Sequence, residues 1–231
     1  MSARIAAAWG VHLLTASSAP AGLLAILAII DGDLRRAFLW MAYAIAVDAI
    51  DGTLARLVRV KEVLPFVDGS RLDDLADYVT YVVVPAFFVV RTGLVPAGAS
   101  IPVASAMMIA SSYGFAQTSA KTADFFFTGF PSYWNIVVFY LHVLGWAPTT
   151  NAAVLIALAI LVFVPFRYAY PSRMTELRRP TIALGLVWGA ALTWALVHFD
   201  TVPRAVLTWS LLYPAYYFAI SLYLHTKRLT E

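Results

Sequence analysis

The chain alternates long apolar runs with short polar connections. A helix needs about 20 apolar residues to cross the hydrocarbon core of a bilayer, and runs of about this length recur along the whole sequence. Residues 2–12 precede the first run and are predicted to form a short interfacial helix. We therefore predict an all-α integral membrane protein with about eight transmembrane helices, at residues 13–31, 37–56, 73–91, 97–117, 132–147, 150–166, 180–198 and 206–225.

The fifth and sixth runs are shorter than the others and are separated by the segment GWAPTTN at 145–151. This part of the chain could form either two full spans or a re-entrant pair of helices. The sequence shows no internal repeat and no low-complexity linker. We therefore expect a single domain over residues 1–231.

Composition supports a membrane protein. The chain is 61% hydrophobic and its mean hydropathy is +0.78, whereas a soluble domain is about 45–50% apolar. It contains no cysteine, which excludes a disulfide framework and a thiolate metal site.

The basic residues lie at the ends of the apolar runs, so the net charge of +3 does not indicate a nucleic-acid partner. With eight spans, both termini share one side of the membrane. Arg35, Arg36, Arg91 and Arg204 fall on the opposite side, which leaves 12 of the 16 basic residues on the side of the termini. Because basic residues concentrate in cytoplasmic loops, we predict cytoplasmic termini.

Four aspartates are the most informative polar positions. Asp48 and Asp51 end the second apolar run, and Asp73 and Asp77 begin the third. An aspartate at the centre of a membrane helix costs about 2.5–3.5 kcal/mol even on the mildest scale, so such residues indicate function. Because residues three and four apart share a helix face, a short hairpin between the two helices would place the four carboxylates together at the cytoplasmic membrane edge.

Four clustered carboxylates repel one another and need cations or protons for stability. Hard divalent ions with oxygen ligands fit best, which predicts Mn²⁺ or Mg²⁺, and a pair of ions suits displacement at phosphorus. Gly52 and Ala55 leave room for a ligand on the same face, and Arg56 offers a fork for phosphate oxygens. Spacing alone does not decide which aspartate acts as a base.

A simpler interpretation is a solvated helix end whose acids pair with nearby bases. Asp68 and Asp74 fall outside the two aspartate faces and fit that role. However, seven of the chain's 13 acidic residues, six aspartates and Glu62, lie within 48–77. This concentration and the ordered spacing favour a functional site.

Written as a pattern, the segment reads D-x2-D-G-x2-A-R-x12-G-x3-D-x3-D and runs from Asp48 to Asp77, with Gly69 as its second glycine. This pattern resembles the signature of the CDP-alcohol phosphotransferase family at all eight positions. The gap of 12 residues before Gly69 is longer than the family usually has and is similar to the bacterial phosphatidylcholine synthase branch. WGVHLLTASSAP at 9–20 and FFFTGFPSYWN at 125–135 also resemble that branch.

The resemblance implies transfer of a phosphatidyl group from CDP-diacylglycerol to choline, with release of CMP and dependence on two ions of Mn²⁺ or Mg²⁺. It implies that Asp48, Asp51 and Asp73 are metal ligands and that Asp77 completes the metal site and acts as the base. It further implies a catalytic core at about 9–166, additional C-terminal helices at about 180–225, a homodimer and a place in the bacterial inner membrane.

The resemblance also implies a binding site for the cytidine diphosphate. Gly52, Ala55 and Gly69 would shape this pocket together with Asp48, and Arg56 would support the phosphates. Thr15 opens the first predicted span, where it would either contact a phosphate or cap the helix. His12 is interpreted as an interfacial side chain.

Choline carries a quaternary ammonium without a hydrogen to donate, so its recognition depends on aromatic faces. The cytoplasmic side is rich in rings, although tyrosine and tryptophan are common at membrane interfaces for other reasons. The selected candidates for the choline site are Tyr81, Tyr113, Phe130, Tyr133 and Trp134.

Two alternatives remain at this point. A sister transferase would use serine, inositol or glycerol phosphate as acceptor, but a phosphate-bearing acceptor would need a basic pocket, and the loop at 117–135 offers only Lys121. A divalent-cation transporter would need polar groups along a whole pathway and often shows repeats. Here the acids cluster at one membrane face.

Overall fold

A computed structural model describes residues 3–118, 126–171, 174, 176–199 and 201–230. Lys121, which entered the acceptor argument, lies outside these residues. The described residues are almost entirely helical, which confirms the predicted all-α class. The helices are α1 (Ala3–Ala16), α2 (Ser18–Ile30), α3 (Leu34–Val58), α4 (Val60–Val63), α5 (Gly69–Asp77), α6 (Val84–Arg91), α7 (Ser100–Ala116), α8 (Trp134–Leu144), α9 (Pro148–Leu161), α10 (Arg178–Val197), α11 (Arg204–Ser210) and α12 (Leu212–Thr230).

The first two predicted helices differ at one boundary from the structure. Helix α1 extends to Ala16, beyond the predicted end at residue 12, and α2 follows after Ser17, whose backbone is itself helical (φ −65°, ψ −17°). A turn at Gly32 (φ +77°) then reverses the chain, and Asp33 caps α3 by accepting a hydrogen bond from the Arg36 backbone at 2.9 Å. Helix α3 agrees with the predicted run at 37–56.

The third predicted helix is continuous from α5 to α6 but contains a π-helical segment, Tyr78–Val83. Pro85 follows this segment and has no N–H to bond the preceding turn, which weakens regular α-helical pairing there. Helix α2 approaches the segment closely at Gly22, where a Cβ would lie 2.8 Å from Val79 Cγ1. A π-helical turn within an α-helix often marks a functional site.

A two-stranded antiparallel ribbon was not predicted. Strand β1 (Phe126–Thr128) pairs with β2 (Arg167–Ala169), so the loop before α8 is joined to the segment after α9. Gly129 continues the pairing by donating its N–H to the Phe166 carbonyl at 2.9 Å. The ribbon therefore fixes the aromatic loop at 129–133 relative to the C-terminal part of the chain.

The main core lies among α6, α7, α8 and α9, where Phe88, Met107, Trp134 and Leu155 are fully buried. The Trp134 indole donates to Ser111 Oγ at 2.7 Å, which satisfies its polar atom within the core.

The Arg35 side chain connects the beginning of α3 to the end of α10. Arg35 donates to the carbonyls of Leu196 and Val197, at 3.1 and 2.8 Å, and so satisfies the last turn of α10.

Within the residues that the structure describes, five helical stretches are long and apolar enough to cross a membrane, judged by length and composition: Ala3–Ile30, Leu34–Val58, Ala97–Ala116, Arg178–Val197 and Arg204–Lys227. Helices α8 and α9 are shorter, with 11 and 14 residues. The structure thus supports a multi-pass membrane protein, while the predicted count of eight spans stays a prediction.

Replacing Gly129 should destabilise the protein strongly. Its φ of +80° is unfavourable for alanine, and a Cβ at this position would overlap the backbone carbonyl of Val162. We expect Gly129→Ala to lower the free energy of unfolding by more than about 2 kcal/mol, measured as thermal unfolding in detergent. Gly189→Ala is the matched control, because nothing lies within 4 Å of its Cβ position, and it should be neutral or slightly stabilising. Equal stability of the two variants would contradict this expectation.

Candidate active site

The site begins with a reversal of the chain between α3 and α5. Arg59 adopts a left-handed conformation (φ 56°, ψ 49°) that ends α3. Asp68 then caps α5, accepting hydrogen bonds from the Ser70 and Arg71 backbones at 3.1 and 3.3 Å. Hydrogen bonds from the Ser70 side chain and the Arg71 backbone lower the pKa of Asp68. The reversal places the end of α3 beside the beginning of α5.

Three of the four predicted aspartates meet at this place. Asp48, Asp73 and Asp77 each direct one carboxylate oxygen to a common point, with the three oxygens within 4.8 Å of one another. All three residues are half-buried. We call them the carboxylate group. The spacing argument predicted that these residues would come together across the hairpin.

Asp51 lies one helical turn from Asp48, outside the carboxylate group. Its side chain is buried, with 6% of its surface exposed, and its Oδ2 accepts a hydrogen bond from Thr15 Oγ1 at 2.7 Å. Thr15 lies in the last turn of α1, so the alternative that it caps a helix beginning there is wrong. Instead, α1 supplies a buried hydroxyl that holds Asp51 in place.

The predicted nucleotide-binding residues surround the same hairpin. Gly52 and Ala55 lie half-buried on α3. The exposed Arg56 side chain donates to Thr53 Oγ1 at 3.0 Å, and a Cβ on Gly52 would lie 3.5 Å from its Nη1. The Arg56 guanidinium therefore lies along its own helix beside the open surface at Gly52. Gly69 begins α5.

His12 was interpreted as an interfacial side chain, but the structure buries it. Its exposed fraction is 6%, and its Nε2 is buried without a hydrogen-bond partner among the described residues. A Cβ on Gly69 would lie 3.1 Å from His12 Cε1, so glycine permits this close approach. The three-residue spacing of His12 and Thr15, which places both on one helix face, was the signal available in the sequence.

Tyr81 connects the carboxylate group with the aromatic residues. Its hydroxyl donates to Asp48 Oδ2 at 2.9 Å, and its ring centroid lies 6.2 Å from that of Tyr133. Tyr133 is partly exposed, whereas only 5% of Tyr81 is exposed. Two predicted choline-binding residues therefore lie next to the predicted metal ligands.

The other three aromatic candidates lie in different surroundings. Trp134 is fully buried and bonded to Ser111, and Phe130 packs on Trp134 with ring centroids 5.0 Å apart. Tyr113 is 48% exposed and packs against Phe163 at 4.9 Å. These contacts do not join them to the carboxylate group as directly as Tyr81 and Tyr133 are joined.

Two tyrosines from the C-terminal part were missed. Tyr217 of α12 has its ring centroid 6.5 Å from Tyr133, and Tyr168 of β2 stacks on Tyr217 at 6.5 Å. No local pattern marked them, because their position depends on the ribbon.

Charged neighbours outside the carboxylate group pair locally, as the simpler interpretation expected for Asp68. Arg71 lies 3.3 Å from Asp68, and Arg59 lies 3.8 Å from Glu62, both at an i,i+3 spacing on exposed surface. Such exposed pairs contribute about 0–1 kcal/mol.

The carboxylate group has the chemistry of a hard-cation site. Its donors are anionic oxygens that converge at half-buried positions on two helices, and oxygen donors of this kind suit Mg²⁺ or Mn²⁺. The convergence also brings like charges together, which a divalent cation would neutralise. The residues present therefore fit a divalent metal.

Comparison with known proteins identifies relatives along most of the chain. The chain matches no protein-family model. It is 40% identical over 224 residues to the phosphatidylcholine synthase of Legionella pneumophila, a match that covers 94% of this chain and 88% of the relative. The enzyme of that name from Rhizobium meliloti is 39% identical over 200 residues, or 86% and 83% of the two chains. That of Borreliella burgdorferi is 33% identical over 224 residues and 95% of each chain. With the aspartate motif and its geometry, these matches show that the chain belongs to the phosphatidylcholine synthase family of CDP-alcohol phosphotransferases.

Proposed function

We propose that the protein transfers the phosphatidyl group of CDP-diacylglycerol to choline and releases CMP. The observation that carries this proposal is the carboxylate group of Asp48, Asp73 and Asp77, bonded through Asp48 to an aromatic side chain. The identity of about 40% to proteins named phosphatidylcholine synthase supports the choice of substrates over serine, inositol or glycerol phosphate.

The metal site would consist of the four motif aspartates. Asp48, Asp73 and Asp77 would bind directly, and Asp51 would join them from one turn away, positioned by Thr15. When bound, Mn²⁺ or Mg²⁺, as two ions, supplies charge neutralisation for the pyrophosphate and for the departing CMP.

Asp77 would act as the general base. Its carboxylate accepts the proton of the choline hydroxyl, and the choline oxygen forms a bond with the phosphorus that carries diacylglycerol. The bond between that phosphorus and the bridging pyrophosphate oxygen breaks, and its electron pair leaves with CMP. Positioned carboxylates accelerate such proton transfers by about 10²–10⁴-fold.

The nucleotide would lie over the hairpin. Gly52, Ala55 and Gly69 would let it approach the backbones of α3 and α5, with Asp48 at the phosphates. Arg56 would turn from Thr53 towards a phosphate, where its planar fork can bind two oxygens. Thr15 would contribute through Asp51.

The choline ammonium would bind near Tyr81 and Tyr133, which lie next to the carboxylate group. Their contacts with Asp48 and with each other favour Tyr81 and Tyr133 over Trp134, which bonds to Ser111, and over Tyr113, which packs against Phe163. Phe130 would support the loop.

We also propose a location in the bacterial inner membrane with cytoplasmic termini and a cytoplasmic active site. The distribution of basic residues supports this orientation. We further propose a homodimer, which the family resemblance supports.

The reaction itself is tested first with the purified protein, CDP-diacylglycerol, Mn²⁺ and a panel of labelled alcohols. We expect choline-dependent formation of phosphatidylcholine and an equal amount of CMP, with both lost on chelation because the carboxylates bind the required ion. Lipid product with serine, inositol or glycerol phosphate in place of choline would contradict the proposed acceptor. Absence of product with every alcohol would contradict the transferase function.

Replacing the proposed base should separate chemistry from binding. Asp77→Asn removes the proton acceptor but keeps the shape of the side chain, so we expect kcat to fall by at least about 100-fold while CDP-diacylglycerol binding changes little. Asp74→Asn is the matched control on the same helix, outside the carboxylate group, and should retain activity. Loss of nucleotide binding together with turnover would show that Asp77 serves mainly as a ligand.

The Thr15 hydroxyl should matter through Asp51. Thr15→Val removes the hydrogen bond to Asp51 Oδ2 at nearly constant volume, and residues that orient metal ligands typically contribute about 10–100-fold to metal affinity. We expect the Mn²⁺ concentration for half-maximal activity to rise by about that factor, with recovery at saturating Mn²⁺. Thr15→Ser, which keeps the hydroxyl, should resemble the unaltered protein. An unchanged Mn²⁺ requirement in Thr15→Val would refute this role.

A further inference from the structure

Three tyrosine rings form a connected surface that begins at the carboxylate group. Tyr81 is bonded to Asp48, and its ring meets Tyr133 at an interplanar angle of 49°. Tyr133 meets Tyr217 at 63°, with ring centroids 6.5 Å apart. Inclined rings turn their faces in different directions, so a cation beside two of them can contact both. Tyr133 and Tyr217 are the partly exposed members.

Tyr217 is held in position by backbone groups of the ribbon. Its hydroxyl donates to the Ala169 carbonyl at 2.9 Å. The Ala169 N–H donates to Ser221 Oγ at 3.1 Å, and this hydroxyl donates to the Tyr217 carbonyl at 2.7 Å. Both polar backbone groups of Ala169 are therefore bonded to side chains of α12. The buried Tyr168 ring lies nearly parallel to the Tyr217 ring, at an angle of 19° and with centroids 6.5 Å apart.

The same ribbon fixes Tyr133. Ala169 pairs with Phe126 in the ribbon, and Gly129 extends the pairing with its hydrogen bond to Phe166 just before the loop that carries Tyr133. Tyr133 and Tyr217, which lie far apart in the sequence, are thus positioned by one small structural unit. This arrangement sets the separation of the two partly exposed rings.

The hydroxyls of these tyrosines are occupied by the protein. Tyr81 donates to Asp48 and Tyr217 donates to Ala169, so these two hydroxyls are already bonded within the protein. Ring faces attract a quaternary ammonium, and the nearby carboxylates add Coulomb attraction. An acceptor such as serine or inositol, which is recognised by hydrogen bonds, would find few donors on this surface.

We propose that Tyr217 of α12 forms a third wall of the acceptor's ammonium site, together with Tyr81 and Tyr133, and that Tyr168 supports it. This inference rests on the proposed function and extends the active site to the C-terminal helix, beyond the expected core at 9–166. Tyr217 would then help the protein to select an acceptor that carries an ammonium group.

The test compares variants of Tyr217 in the full-length protein. Tyr217→Leu removes the aromatic face, and we expect it to raise the KM for choline by about 2- to 30-fold while the KM for CDP-diacylglycerol stays within about 2-fold. Tyr223→Leu is the matched control, because Tyr223 lies on the same helix with 54% of its surface exposed. Tetramethylammonium, which has the cation without the hydroxyl, should inhibit the unaltered protein in competition with choline and inhibit Tyr217→Leu more weakly.

A second substitution keeps the test decisive if the leucine variant is unstable. Trifluorophenylalanine at position 217 retains the shape of the ring but weakens its negative face, so it should raise the KM for choline above that of Tyr217→Phe. An equal KM for choline in these two variants would overturn the proposal, as would an unchanged KM in a folded Tyr217→Leu. Lack of choline-dependent turnover in the unaltered protein would instead refute the proposed function.

Discussion

Carboxylates at the ends of membrane helices repel one another and lose part of their hydration, and neighbouring groups must offset both effects. In this protein the offset begins with hydroxyl donors. Tyr81 bonds to Asp48, and Thr15 bonds to the buried Asp51. A divalent cation would supply the remaining compensation at the carboxylate group. The packing of α1 and α5 against α3 therefore depends on how the negative charge of the aspartates is stabilised.

The helix that carries Asp73 and Asp77 also connects the two halves of the site. Its π-helical segment begins directly after Asp77 and contains Tyr81. A π-helical turn contains more residues than an α-helical turn, so it changes the direction in which Tyr81 projects relative to the aspartates before it. The hydroxyl of Tyr81 thereby reaches Asp48 on α3, and its ring reaches Tyr133. The π-helical turn thus connects the carboxylate group with the aromatic residues Tyr81 and Tyr133.

Sequence reasoning was most successful where one physical requirement dominates. Long apolar runs favour helices because lipid offers no hydrogen-bond partner to the backbone, and α3 and α7 agree with the predicted runs. The convergence of Asp48, Asp73 and Asp77 also followed from helical spacing. The ribbon was not predicted, because strands of three residues are too short to show the alternating pattern of a β-strand.

The approach of Tyr217 was also beyond reach of the sequence, and the burial of His12 was indicated only by its three-residue spacing from Thr15. Each depends on contacts between segments that lie far apart in the chain, namely α1 with Gly69 and α12 with the ribbon. The motif thus predicted the carboxylate group better than the aromatic residues beside it.

The bonds between Ala169 and α12 bear on the order in which the protein matures during synthesis. The motif aspartates emerge from the ribosome before Tyr217 and Ser221, which lie far downstream of them in the sequence. Until α12 arrives, the N–H and carbonyl of Ala169 lack the two partners that they have in the folded protein. If Tyr217 completes the ammonium site, a nascent chain would assemble its carboxylate group before it acquired selectivity for its acceptor.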